Sequence, residues 1–401
     1  MTLVAQLWLA RRQIRHVVAR RGKVPDFFRG KISQAAHEKA ADYTGTKNRF
    51  HMVSESYSTI ILVAWTLAGG LQLLDNSWSL LGLSPVWHGT LVLLSLFIIG
   101  GFLELPFSIY NTFNIEERFG FNKSTPRTFI IDLIKYTLLM VLIGGPLLYA
   151  ILWLMDSMGA LWWLYVWLLW SGFNLFAIWA YPTFIAPLFN KFKPLEDGAV
   201  RDRVQALLER TGFKSKGIYV MDGSRRSKHG NAYFTGFGKN KRIVFFDTLL
   251  DSLDEAEVEA VLAHELGHFK LRHITKRIVM MFSLSLIGLA LLGWLIKQGW
   301  FYAGLGIDTP SIHTALALFM LVMPVFTFFL SPLMSWGSRK HEFEADAFAS
   351  QQANANDLIS ALVKMYEENA KTLTPDPLHS VFYDSHPPAP VRIARLKEQT
   401  T

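Results

Sequence analysis

The stretch His264-Glu265-Leu266-Gly267-His268 spells His-Glu-x-x-His in a segment whose apolar residues, Val258, Val261, Leu262, Leu266 and Phe269, recur at helical spacing. Residues four apart share one face of a helix, so the two imidazoles can hold a single Zn²⁺. Glu265 stands beside them, placed to take a proton from a water on that metal. Ser252-Leu253-Asp254-Glu255 reads as a capping box that opens the helix at Ser252. The chemistry this predicts is zinc-dependent peptide hydrolysis.

Two imidazoles leave a zinc site short of a third protein ligand. With no cysteine in the 401 residues, that ligand is a histidine or a carboxylate. Downstream, Ser338-Arg339-Lys340-His341-Glu342-Phe343-Glu344-Ala345-Asp346 offers Glu342 and Glu344. Glu342 and Asp346 are four apart and share a helical face. That suits a ligand together with a carboxylate that orients a zinc-bound imidazole from behind. Glu344 is rotated about 200° from Glu342 and is expected to face elsewhere. His273 falls on a different face of the motif helix and is expected at the membrane surface.

The rest of the chain points to a bilayer. It is 51% hydrophobic and 14% aromatic, with only 18% charged residues. Spans of about 20 apolar residues are predicted at 57–75, 86–105, 128–155, 161–186, 276–298 and 313–334. Residues 1–10 are apolar but too short to span, and Arg11 and Arg12 end them. They read as the tail of a span or as an interfacial helix, and the following charge argues against a signal peptide. This divides the chain into a basic segment 1–56, a four-span region 57–186, a polar region 187–275, two spans within 276–334 and a polar region 335–401. The connecting segments 76–85, 156–160 and 299–312 contain no Lys or Arg, whereas 1–56 contains 11. The positive-inside rule then places both termini and both polar regions in the cytoplasm. The net charge of +8 is explained by this asymmetry, and no nucleic-acid motif accompanies it. Trp162-Trp163-Leu164-Tyr165 reads as an interfacial aromatic belt. Glu104, Asp132, Lys135 and Asn174, in or near spans, hint at a polar interior.

Residues 217–247 read as a small sheet, with strands at Ile218–Met221, Asn231–Phe237 and Arg242–Asp247 and a hairpin turn at Gly238–Lys241. The strand holding Asn231 and Ala232 is either an edge that accepts an extended substrate or ordinary β core. In Ser385-His386-Pro387-Pro388, the prolines fix His386 in a turn. A histidine held there either donates to the oxyanion of a tetrahedral intermediate or is structural.

Over nearly its whole length the chain resembles the integral-membrane zinc metalloproteases of the type I CAAX prenyl protease family, the farnesylated-protein-converting enzyme 1 type. The resemblance rests on Leu105-Pro106-Phe107-Ser108, Ile115-Glu116-Glu117-Arg118-Phe119-Gly120-Phe121-Asn122, Tyr181-Pro182 and Ile185-Ala186-Pro187-Leu188-Phe189-Asn190-Lys191-Phe192. It continues through Asp222-Gly223-Ser224-Arg225-Arg226-Ser227, Asn231-Ala232-Tyr233-Phe234, the His264 and Glu342 motifs and Ser385-His386-Pro387-Pro388. The resemblance implies a mainly α polytopic helical barrel around a chamber, carrying a gluzincin-like protease domain with a small β-sheet. It implies one Zn²⁺ on His264, His268 and Glu342, Glu265 as general base and Asp346 behind the ligands. His386 and Arg392 would settle substrate and transition state, and Asn231 and Ala232 would face the substrate. The substrates implied are proteins or peptides cut near the C-terminus, prenylated in eukaryotic members. The membrane would be the endoplasmic reticulum of a eukaryote or the inner membrane of a bacterium. Members with seven spans contrast with the six seen here, and Glu344 stands where many relatives carry Gln. A membrane quality-control protease, a transporter and a zinc-stabilised scaffold are the rival readings.

Overall fold

The structure is a computed structural model that describes residues 1–235 and 241–398. Its elements run α1 (Thr2–Arg20), α2 (Gln34–Trp65), α3 (Gly70–Ser79), α4 (Pro85–Glu116), α5 (Pro126–Ser157) and α6 (Gly159–Phe189). Then come β1 (Phe192–Pro194), α7 (Ala199–Arg210), β2 (Ile218–Met221), β3 (Ala232–Thr235), β4 (Arg242–Phe246), α8 (Asp247–Ser252) and α9 (Glu255–Lys270). The chain returns to the membrane in α10 (His273–Leu295) and α11 (Ile312–Gln352), and ends in α12 (Ala355–Glu368), α13 (Pro377–Tyr383) and α14 (Ala389–Glu398).

Five of these helices, α4, α5, α6, α10 and α11, are long and apolar enough to cross a bilayer. The expected span 57–75 is not straight. It is broken between Trp65 and Gly70, where Gly69 takes φ 76°, and α2 and α3 meet at 48°. Residues 1–10 are the first half of α1, which lies along α2 and reaches α11 through the Thr2 hydroxyl, 2.9 Å from the Val325 carbonyl. Helix α2 is tied to α4 by the Tyr57 hydroxyl, 3.1 Å from the Leu103 carbonyl. Neighbour contacts then run α4, α5, α6, α10, α11. Helix α11 also packs directly on α4 and α5, so the spans form a closed group, with α1 bridging α2 and α11 beside it.

The wall of this barrel is one helix thick. Only 11% to 28% of the residues in the most apolar window of each straight span are buried. One face meets lipid and the other lines the chamber. Polar groups in the wall find partners. Asp132 accepts from Arg226 at 2.7 and 3.0 Å, the Lys135 ammonium donates to the Leu188 carbonyl at 2.6 Å, and Ser58 donates to Glu104 at 3.1 Å. Such pairing is what charge near hydrocarbon requires. Trp162, at the start of the expected aromatic belt, is buried in one apolar cluster with Val166 and Leu292.

The protease domain packs one core from distant segments. Val24, Phe28 and Ile32, from the basic N-terminal segment, join Leu207, Phe245, Leu262, Leu362 and Ile393. The sheet has the order β1-β2-β4-β3, with β2 parallel to β4 and the other pairs antiparallel. β3 pairs with β4 alone among the described residues and forms an edge. Most of the expected turn, residues 238–240, lies outside the described residues. The motif helix starts two residues later than expected. Ser252 ends α8, and the true cap is Asp254, whose carboxylate accepts from the Glu257 amide while the Glu257 carboxylate accepts from the Asp254 amide, both at 2.9 Å. Loss of such a cap typically costs about 1 kcal/mol. Asp254→Ala should therefore lower the thermal midpoint of the detergent-solubilised protein, and Ser252→Ala should leave it unchanged in scans at one heating rate.

Candidate active site

Helix α9 presents His264 and His268 on one face, their rings 4.9 Å apart and nearly perpendicular. Helix α11 runs alongside and presents Glu342, Glu344 and Asp346. The two helices meet at Gly267. A Cβ there would lie 3.0 Å from the Ala345 Cα and 3.1 Å from its carbonyl oxygen, so a larger residue would push α11 outward and glycine favours this close approach.

The donor atoms converge. Nε2 of His264 and Nε2 of His268 are 3.2 Å apart, Glu342 Oε2 is 3.4 Å from the first, and Glu342 Oε1 is 3.2 Å from the second. Tetrahedral zinc with ligands at about 2.0–2.1 Å has donors separated by about 3.3 Å along each edge. The three residues thus already stand at the spacing the metal needs. Glu342 is 4% exposed, and its Oε2 has no hydrogen-bond partner. A buried carboxylate oxygen without a hydrogen bond is costly, and a metal ion would supply the close partner that Arg392 Nη1, at 3.5 Å, does not. The site fits Zn²⁺.

Hydrogen bonds behind the ligands set their tautomers. Nδ1 of His264 lies 2.8 Å from Asp346 Oδ1, and Asp346 is gripped by Arg392 through Nη2 at 2.6 Å and Nε at 2.9 Å. With Nδ1–H of His264 donating to the Asp346 carboxylate, the Nε2 lone pair of His264 faces the site. His268 is held differently. Its Nδ1 lies 3.0 Å from Nδ1 of His273, and Nε2 of His273 lies 2.9 Å from Glu344 Oε2. One assignment satisfies the whole chain: His268 donates to His273, His273 donates to Glu344, and Nε2 of His268 faces the site. His273 is therefore not at the membrane surface but 1% exposed against the motif. Helical-wheel spacing missed it because α9 ends at Lys270 and Arg272 takes φ 57°. Glu344 does face away from the His264 pair, as expected, and its partner is His273.

A cleft of about 520 Å³ opens over these groups, lined by Asn231, Ala232, His264, Glu265, His386 and Arg392 among others. Burial in its wall raises the Glu265 carboxyl above its ordinary value, against the pull of the neighbouring imidazoles. Nε2 of His386 hangs 3.4 Å from Glu342 Oε1, on a side chain that is 60% exposed. Arg392 is buried and committed to Asp346, with Nη1 3.5 Å from Glu342 Oε2. Asn231 precedes the edge strand β3. Its carbonyl accepts from the Phe246 amide, and its side-chain oxygen caps the Ala232 amide at 2.8 Å. In the antiparallel alternation, the Ala232 amide points away from β4.

A metal site built on His-Glu-x-x-His, beside a sheet edge and at the end of a multi-pass helical barrel, defines an integral-membrane metalloprotease. The model for the CAAX prenyl protease N-terminal region, with five membrane helices, matches residues 13–191, and the model for peptidase family M48 matches residues 194–400. The chain belongs to peptidase family M48. It is 39% identical over 397 residues to the CAAX prenyl protease 1 homolog of Arabidopsis thaliana, covering 93% of this chain and 90% of that one. Against CAAX prenyl protease 1 of Saccharomyces cerevisiae it is 33% identical over 406 residues, covering 93% and 88%. The crystal structure of S. mikatae Ste24p superposes with a TM-score of 0.91 at 32% identity, covering 98% of this chain and 96% of that one.

Removing a group that orients a metal-bound histidine typically costs about 10- to 100-fold in metal affinity. His273→Leu should weaken Zn²⁺ binding by roughly that factor in chelator competition. An unchanged affinity would remove His273 from the support of His268.

Proposed function

We propose that this metalloprotease cuts peptide bonds near the C-terminus of protein or peptide substrates, including prenylated ones bearing a CAAX-type terminus. The observation that carries the reading is the triangle of donors from His264, His268 and Glu342, at 3.2 to 3.4 Å, with Glu265 and a strand edge on the same cleft. The curated relatives named above as CAAX prenyl proteases support the substrate class. The chamber beside the site gives an apolar lipid group somewhere to lie while the polar peptide reaches the cleft.

Zn²⁺ held by His264, His268 and Glu342 would supply Lewis acidity toward the scissile carbonyl and a water of lowered pKa. The protein residues do the rest. Glu265 accepts the water proton and passes it to the leaving amine. Asp346 holds His264 in the tautomer that keeps Nε2 free. His386, on the cleft wall with Nε2 close to Glu342, donates to the oxyanion. The bidentate pair with Asp346 supports a positioning role for Arg392 in place of the direct substrate contact expected from sequence. The substrate adds as a strand beside β3, and for this the Asn231 side chain must release the Ala232 amide. The excess of Lys and Arg on the polar regions supports a cytoplasmic site and cytoplasmic termini.

Glu265→Gln should retain zinc and lose cleavage of a farnesylated C-terminal peptide, a drop of about 10² or more in kcat. Turnover like wild type would sink the assignment. Purified protein should cut the prenylated peptide faster than its unprenylated twin. Equal rates on both would favour a general membrane quality-control protease.

A further inference from the structure

At the end of the membrane domain opposite the protease site, three side chains from three helices meet. Asp75 lies on α3, His88 in the first turn of α4 and His313 in the first turn of α11. One carboxylate oxygen, Oδ1 of Asp75, lies 2.7 Å from Nε2 of His88 and 2.7 Å from Nε2 of His313. The two rings face each other with centroids 4.9 Å apart. All three donor atoms fall within 4.8 Å of one another, and Asp75 and His313 are buried. Peptide hydrolysis has no use for them. His313 and Glu342 are 29 residues apart on α11, about 44 Å along a helix at 1.5 Å per residue. That is far beyond the separation of a two-metal centre.

We infer that Asp75, His88 and His313 form a second metal site, one that takes a divalent transition-metal ion such as Zn²⁺. Two imidazoles and one carboxylate make a donor set for zinc, cobalt, nickel or copper, whereas calcium and magnesium ask for oxygen ligands throughout. Without metal, the contacts are two N–H donors on one carboxylate oxygen. The ion replaces those two protons, and each imidazole nitrogen moves away from the Asp75 oxygen by roughly half an ångström to reach tetrahedral spacing. The surroundings are built for close approach. A Cβ on Gly89 would stand 2.6 Å from the His313 Cβ and 2.9 Å from its Cγ, so glycine is what lets His313 lie against α4 beside His88. The Ser311 hydroxyl lies 3.2 Å from both Nδ1 and Nε2 of His313, beside the ring edge between them. The His88 side chain is 16% exposed, which gives the ion an entry path. On the same three helices Leu71, Val92, Leu93 and Ala315 are fully buried in one apolar cluster, so the donors stand on well-packed elements. The ion would pin α3, the half-helix beyond the break at Gly69, to α4 and α11, where Gln72 and Thr309 already bond at 2.9 Å.

The full chain in detergent, stripped with chelator, reloaded with Zn²⁺ and desalted, should carry two zinc ions by mass spectrometry. Glu342→Ala should carry one, His88→Gln one, and the double variant none. His88→Gln should keep wild-type peptidase activity, which also reports that it folds. Asp75→Asn should repeat its loss of one zinc. Cobalt titration reads the site a second way: Glu342→Ala should develop a visible d–d absorption band that His88→Gln, added to it, abolishes. One zinc in wild type and one in His88→Gln, with no cobalt band in Glu342→Ala, would overturn the site and leave a hydrogen-bonded triad that binds only protons.

Discussion

The structure depends on one close approach, that of α9 to α11 at Gly267 and Ala345. A side chain at Gly267 would meet backbone at 3.0 to 3.1 Å and Phe348 Cβ at 3.2 Å. With hydrogen there instead, Glu342 comes level with the His264 and His268 nitrogens, and Asp346, one turn on, reaches the far side of the His264 ring. Ala263, Ala345 and Ala349 are all buried and keep the helices close on either side. Between His268 and Glu342 the chain crosses the membrane twice, through α10 and α11. The barrel is thus part of the active site's construction, because its spans return Glu342 to the same end as the His pair.

The approach has an electrostatic consequence. It brings Glu342, Asp346 and Arg392 into a region where each is at most 6% exposed. Asp346 and Arg392 satisfy each other through two hydrogen bonds, but Glu342 keeps an oxygen with no donor. Breaking such a buried group's partnership is expensive, typically about 3–5 kcal/mol for an ion pair. A cation between the helices removes the penalty and joins α9 to α11, so binding the metal and folding the domain are coupled. Glu257 illustrates the contrast at the other end of α9. It is equally buried, yet Ser360 and Lys364 donate to it at 2.6 Å and it closes the Asp254 cap. That carboxylate is structural and needs no ion.

Much of this was legible in the sequence, because the signals were local. The His-Glu-x-x-His spacing, the i, i+4 pair Glu342 and Asp346, and five long apolar runs each report on one continuous helix. What escaped depends on where helices stop or how separate ones meet. His273 was misplaced because a wheel drawn through residues 264–273 ignores the turn at Arg272. Ser252 looked like the cap because Glu255 follows at the right distance, but it is already used to end α8. The break between α2 and α3 follows from the Gly69-Gly70 pair, inside a run whose hydropathy alone reads as one span. Helix α1 carries arginines that lower its hydropathy, and its buried Leu9, Ala10 and Val17 are not enough to distinguish a wall helix by sequence. The three-residue strand β1 carries too little pattern to recognise. The Asp75, His88 and His313 cluster draws one residue from each of three helices, and no spacing in the chain announces it.

The central claim is that α9 and α11 together make the metal site. Anomalous diffraction at the zinc edge, from crystals of the Glu265→Gln protein loaded with Zn²⁺, tests it most directly. The account predicts a peak within about 2.1 Å of Nε2 of His264, Nε2 of His268 and a carboxylate oxygen of Glu342. A zinc held by the two histidines without Glu342, or no peak between α9 and α11, would contradict it.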